Sequence, residues 1–183
     1  MLSKRRTWIR TTKGLMTLLA IAVLSLPSTL AAQDEQRSPF LLDLAKEVIF
    51  DPTTYVPTVI AYDATMRDWN SSQIFFANGY LERNPKFTVS GLPNDVPLSY
   101  DAGRRVILKD ALIHLQVSGI HNATIRIFER MLTERFPDNR KLVRVLGWVE
   151  RSVFASYLSY QLSHKHYEQA SANKRVSVQF TLP

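Results

Sequence analysis

Two of the four histidines, His114 and His121, stand seven residues apart in the stretch LIHLQVSGIHNATIRIFER, Leu112 to Arg130. On a helix that spacing places both imidazoles on one stripe, two turns or about 10.5 Å apart. Helical chelation of a single ion prefers a spacing of four, so this pair alone does not hold a small metal ion. Neither HExxH nor the Glu-x-x-His of di-iron bundles occurs in the chain. Partners for these imidazoles must therefore come from a second element.

That element is predicted by the turn Pro137-Asp138-Asn139, which folds the following helix back antiparallel on the one that carries the histidines. In the register that a tight turn sets, His121 faces Val153 about a turn from Glu150, His114 faces Tyr160, and Asp110 faces His164. Glu150 sits between Val143, Leu146, Gly147, Phe154 and Leu158, where an unpaired charge would be costly. A buried His121–Glu150 pair is the expected solution, with Asn122, Arg126 or Arg151 completing the network. Two readings of it stay open. One is a structural polar cluster. The other is a ligand, haem, metal or acid–base site that uses His114, His121 and Glu150. The candidate ligand-binding set is His114, His121, Asn122, Glu150, Tyr157 and His164, with no catalytic residue, metal or cofactor assigned. His164-Lys165-His166 points its imidazoles nearly opposite ways on a helix, and reads as an exposed, frayed end.

The elements that position these residues are mostly helical. Ser38-Pro39 opens a helix through FLLDLAKEVIF that Asp51-Pro52 stops, and a second begins at Thr53 or Thr54. Asn70-Ser71-Ser72-Gln73 has a capping-box pattern, which predicts a short third helix ending at Asn78-Gly79. Residues 80–99 carry Pro85, Gly91, Pro93 and Pro97 and form an irregular excursion in which KFTV, Lys86 to Val89, alternates like a strand. A long helix then runs from Ser99 to Phe136. The last reaches about His166, with Leu142, Leu146, Val149, Val153, Tyr157 and Tyr160 on one side. The tail, residues 171–183, reads as a flexible terminus or an edge strand beside KFTV. The expected fold is a mostly α helical bundle with one long irregular Pro/Gly-rich excursion and, at most, a minor two-stranded β element.

Residues 1–32 have the three parts of a signal peptide: a basic start, the apolar run Leu15 to Leu26, and small residues around Ala31 and Ala32. An uncleaved anchor is the minority alternative, since that run falls short of the ~20 residues of a spanning helix. KRRTWIR, Lys4 to Arg10, is similar to the twin-arginine export consensus, with lysine where serine or threonine is usual, so that route and the general secretory one both stay open. The expected location is the periplasm or cell envelope, with a single helical domain over 33–183. Five of the 23 basic residues and none of the 16 acids lie in residues 1–32, so the remainder carries a net charge of only +2. A nucleic-acid reading of the pI of about 9.8 thus loses its basis. The absence of cysteine excludes disulfides and thiolate chemistry.

DPTTYVPTVIAYDATMRDWNSSQIFFANG and RKLVRVLGWVERSVFASYLSYQLS resemble a group of uncharacterised exported bacterial proteins of acidobacterial type. The resemblance covers most of residues 33–183, implies export and a helical fold, and carries no activity over. Asp68-Trp69-Asn70-Ser71-Ser72-Gln73 has the composition of a carbohydrate or peptide contact, which a capped helix corner explains equally well. No phosphate loop, GxSxG elbow or nucleotide fingerprint occurs. The reading is an exported envelope protein that binds a protein partner or a small ligand, with peripheral membrane association as a further possibility. The alternative is a histidine-dependent enzyme or a metal- or haem-binding protein.

Overall fold

The computed structural model of the chain describes residues 34–180, so the export signal expected at 1–32 lies outside the described residues. Two compact units are distinguished, Met1–Leu42 and Asp43–Pro183, and the packing below belongs to the second. Four helices carry the fold: α1 (Asp34–Ile49), α2 (Val56–Ala77), α3 (Tyr100–Arg135) and α4 (Arg140–Ser177). The mostly α bundle is as expected. In place of a β element, the excursion between α2 and α3 holds only two isolated antiparallel bridges, Glu82 with Asp95 and Thr88 with Pro97.

Asp51 ends α1 and caps the 3-10 turn Pro52–Thr54, its carboxylate accepting from the Thr53 amide at 3.1 Å and the Thr53 hydroxyl at 2.7 Å. Pro57, in the first turn of α2, is buried where its missing N–H costs nothing. The predicted break at Ser71-Ser72 is absent. Both hydroxyls instead donate to the Asp68 carbonyl at 2.9 Å, and α2 runs through to Ala77. Toward the C-terminus α4 continues past His166 to Ser177, and the part of the expected tail up to Phe180 enters this helix and a 3-10 turn, Val178–Phe180, with residues 181–183 outside the described residues.

The largest departure is the rotation of α4. Its buried face is the ladder Gly147, Arg151, Ala155, Ser159 and Ser163, extended by Ala170 and Asn173, whereas the expected apolar side lies outward. α3 follows the same rule, burying Gly103, Ile107, Ala111, Ser118, Asn122 and Glu129 while Phe128 and Leu132 stay exposed. Small residues let helix backbones approach closely. At Gly147 an added Cβ would overlap the Glu129 carboxylate, and at Gly103 the Trp69 ring. α2 packs most extensively on α4 and then on α3. The apolar cluster that fastens the excursion to this bundle is Trp69, Phe87 and Ile107, where Phe87 stacks on Trp69 at 5.2 Å and the Trp69 indole donates to the Tyr100 carbonyl at 3.2 Å.

Candidate functional site

Two polar regions need explaining. The first lies where the end of α1 meets α3 and α4. Arg151, only 2 % exposed, donates from Nε to Asp51 at 2.9 Å and from Nη1 to Glu129. Arg126 reaches Asp51 at 3.0 Å and Glu129 at 3.6 Å, and Arg130 reaches Glu47 at 2.9 Å. Three carboxylates thus face three guanidiniums. Burial pushes the Asp51 carboxyl up, but the Thr53 hydroxyl and amide, Arg126 and Arg151 outweigh it and hold it below the usual carboxylate range. Asn122 extends the network by donating to the hydroxyls of Thr53 at 2.9 Å and Thr54 at 2.7 Å. The arrangement ties three segments together with its charges matched, leaves the buried Arg126 Nε without a hydrogen-bond partner among the described residues, and borders a cleft of about 500 Å³ lined by Glu47, Arg126, Glu129 and Arg130.

The second region lies between α2, the C-terminal half of α4 and residues 80–87. Here a cleft of about 480 Å³ opens, with Trp69, Phe75, Phe76, Tyr80 and Phe87 in its lining. Polar side chains line it too. His166 Nδ1 lies 2.7 Å from the Asp68 carboxylate, which fixes that nitrogen as the N–H donor and leaves Nε2 without a protein partner among the described residues. The straight course of α2 through Ser71-Ser72 brings Asp68, Trp69 and Ser72 to this cleft. Asn173 donates to Ser71 at 3.1 Å and Ser72 at 3.0 Å, and itself accepts from Gln169 at 2.8 Å. A smaller cleft of about 190 Å³ adjoins, sharing Thr65, Asn84, Phe87 and His166 with the first. It holds His114, whose Nδ1 is buried without a hydrogen-bond partner, below the Lys86–Asp110 ion pair at 2.5 Å. Burial lowers the His114 pKa, Asp110 opposes this and Lys86 adds to it, so the net shift favours the neutral ring.

The six residues predicted as a ligand set do not form one site. His121 and Glu150 do meet, at 3.1 Å across the hairpin, with the imidazole stacked on Phe154 at 3.6 Å. The expectation that the pair is buried fails: the Glu150 side chain is 44 % exposed, because α4 turns its neighbour Arg151 inward. Asn122 belongs to the ionic network, and Tyr157 faces solvent. His164 does not meet Asp110. It stacks on Tyr160 at 4.5 Å and donates to that residue's carbonyl at 2.8 Å. His114 does not meet Tyr160 but lines the smaller cleft. His166, expected at a frayed end, is instead mid-helix and held by Asp68. No group of three or more His, Cys, Asp or Glu side chains among the described residues is placed to hold a metal ion. Of the run from Asp68 to Gln73, the structure brings Asp68, Trp69 and Ser72 to the groove. Comparison with known proteins finds no matching family model, no matching curated protein and no matching solved structure.

Proposed function

We propose that the chain is an exported protein of the cell envelope that binds a small, neutral, polyhydroxylated ligand of the saccharide class in the groove around His166. The observation that carries this reading is a cleft lined by both aromatic rings and hydrogen-bonding groups, with the unpartnered His166 Nε2 among them. A hydrocarbon would strip water from Asp68, Gln169 and Asn173 without replacing its hydrogen bonds. An anion would meet Asp68 and Glu82, while a cation would meet Arg83. A sugar ring offers an apolar face to the rings and hydroxyls to the polar groups, and a hydroxyl that donates to Nε2 completes the Asp68–His166 chain.

The test is calorimetric titration with glucose, N-acetylglucosamine, cellobiose and N,N′-diacetylchitobiose. At least one should bind with a Kd of about 1 mM or tighter, and His166→Ala should weaken it at least about tenfold. No binding by any of the four, or binding untouched by His166→Ala, overturns the reading. Export is tested separately by mass spectrometry of the native N-terminus, which should begin at Ala32 or Gln33. No helix among the described residues is long and apolar enough to cross a membrane.

A further inference from the structure

The outward stripe of α4 has no partner among the described residues. Leu142, Leu146, Val149, Val153, Tyr157 and Tyr160 recur at steps of four, three, four, four and three, the spacing that keeps one face of a helix against another helix. All six are 42–63 % exposed. Beside them Val145 is equally bare. Seven large side chains about half exposed present on the order of 700 Å², close to the ~800 Å² per partner of a standard stable interface and more than the few hundred that a monomer ordinarily leaves open.

We propose that this stripe packs against the same stripe of a second copy of the chain, antiparallel, about a two-fold axis that passes α4 at the level of residue 151. The occupant follows from the stripe's own composition. Its first half carries branched aliphatics and its second half tyrosines, so an antiparallel pairing seats Tyr160 and Tyr157 against the second copy's Leu142 and Leu146, and Val149 against the second copy's Val153. Charge sets the direction. Arg140, Lys141 and Arg144 crowd the start of α4. A parallel pair would bring six bases together, whereas the antiparallel one sets each trio beside the neutral run Leu158 to Leu162 of the other copy. The interface is isologous, as closed dimers require, and it does not depend on the groove reading.

The chain has no cysteine, so placed thiols report the geometry directly. Under mild oxidation of the full chain, an equal mixture of Val149→Cys and Val153→Cys proteins should give a cross-linked dimer, because these positions face one another within the ~7 Å Cα limit of a disulfide. Val149→Cys alone should not cross-link. Val153→Glu should convert the dimer to a monomer in sedimentation with unchanged helicity. A wild-type chain that sediments as a monomer at about 100 μM, far above the ~1 μM Kd that a standard-size interface readily reaches, overturns the proposal. So does efficient cross-linking of Val149→Cys alone, which marks a parallel pair. Dimerisation that survives Val153→Glu, or a stripe protected within a monomer by residues 1–33, overturns it equally.

Discussion

The ionic network around Arg151 and the groove around His166 are built from the same kinds of group, yet they differ in how charge is matched. Around Arg151, three carboxylates meet three guanidiniums, and Asp51 alone accepts from two arginines and from Thr53. Around His166, one carboxylate orients one imidazole, and its second nitrogen is left facing a cleft. The first matches charge with charge and holds segments together. The second leaves an imidazole nitrogen over, which a ligand can use. The comparison teaches that burial and charge alone do not mark a site: the most buried charged residue of the described chain belongs to the scaffold.

The sharpest way to break this contrast is Arg151→Ala, which leaves Asp51 and Glu129 buried with one guanidinium fewer. It should cost about 3–5 kcal/mol in denaturant unfolding. Replacing Asp51, Glu129 and Arg151 together by Asn, Gln and Met should cost less than the sum of the three single changes. Additive costs would show that the groups do not act as a network. Gly147→Ala comes next. Its Cβ overlaps the Glu129 carboxylate, which Arg151 holds in place, so a loss of about 1–3 kcal/mol is expected, where an exposed helical glycine would gain stability from the same change.

A smaller effect follows from pH. The Asp51 carboxyl is lower in the fold than the ordinary value of about 3.9. The unfolded chain therefore binds its proton first, so the stability that Asp51 confers is present above pH ~4 and lost as pH falls through the folded value. Asp51→Asn should flatten the acid limb of a stability profile between about pH 5 and 2, and an unchanged limb would remove Asp51 from the network. The smallest loss is assigned to His121→Ala. With Glu150 half in solvent, the surviving carboxylate stays hydrated, and about 1 kcal/mol is expected from the lost pair and the Phe154 stack. A loss above about 3 kcal/mol would place this pair among the buried ones after all.

The helices were legible because their start and stop signals are local: Asp51-Pro52, Ser99 and Pro137 all act where the pattern puts them. The tight turn also places His121 beside Glu150. Which face α4 buries was not legible from apolar periodicity, since its large side chains form the outer stripe and its small ones the seam. The relevant signal was the step of four from Gly147 through Arg151, Ala155 and Ser159 to Ser163, a ladder that reads as close backbone approach only once a facing helix is supplied. Arg126, Arg151 and Asn122 are anticipated as network members, but their acids are Asp51 and Glu129. Asp51 reads locally as a helix stop, and its burial depends on residues 75 and 100 positions away. His166 is missed for a related reason: with the helix ended at that residue, nothing in the tail suggests that Asp68, 98 positions earlier, would hold it.

The central claim, that the groove offers the second His166 nitrogen to a ligand while the network matches its charges among themselves, is tested most directly by nitrogen NMR of the chain labelled at histidine. His166 Nδ1 is expected to carry a proton shared with Asp68, and N,N′-diacetylchitobiose or another of the four sugars to shift its Nε2 resonance while leaving His121 and His164 unmoved. If His166 stays still through the titration while the histidines outside the groove respond, or none respond at all, the groove is part of the scaffold and the contrast between the two regions falls.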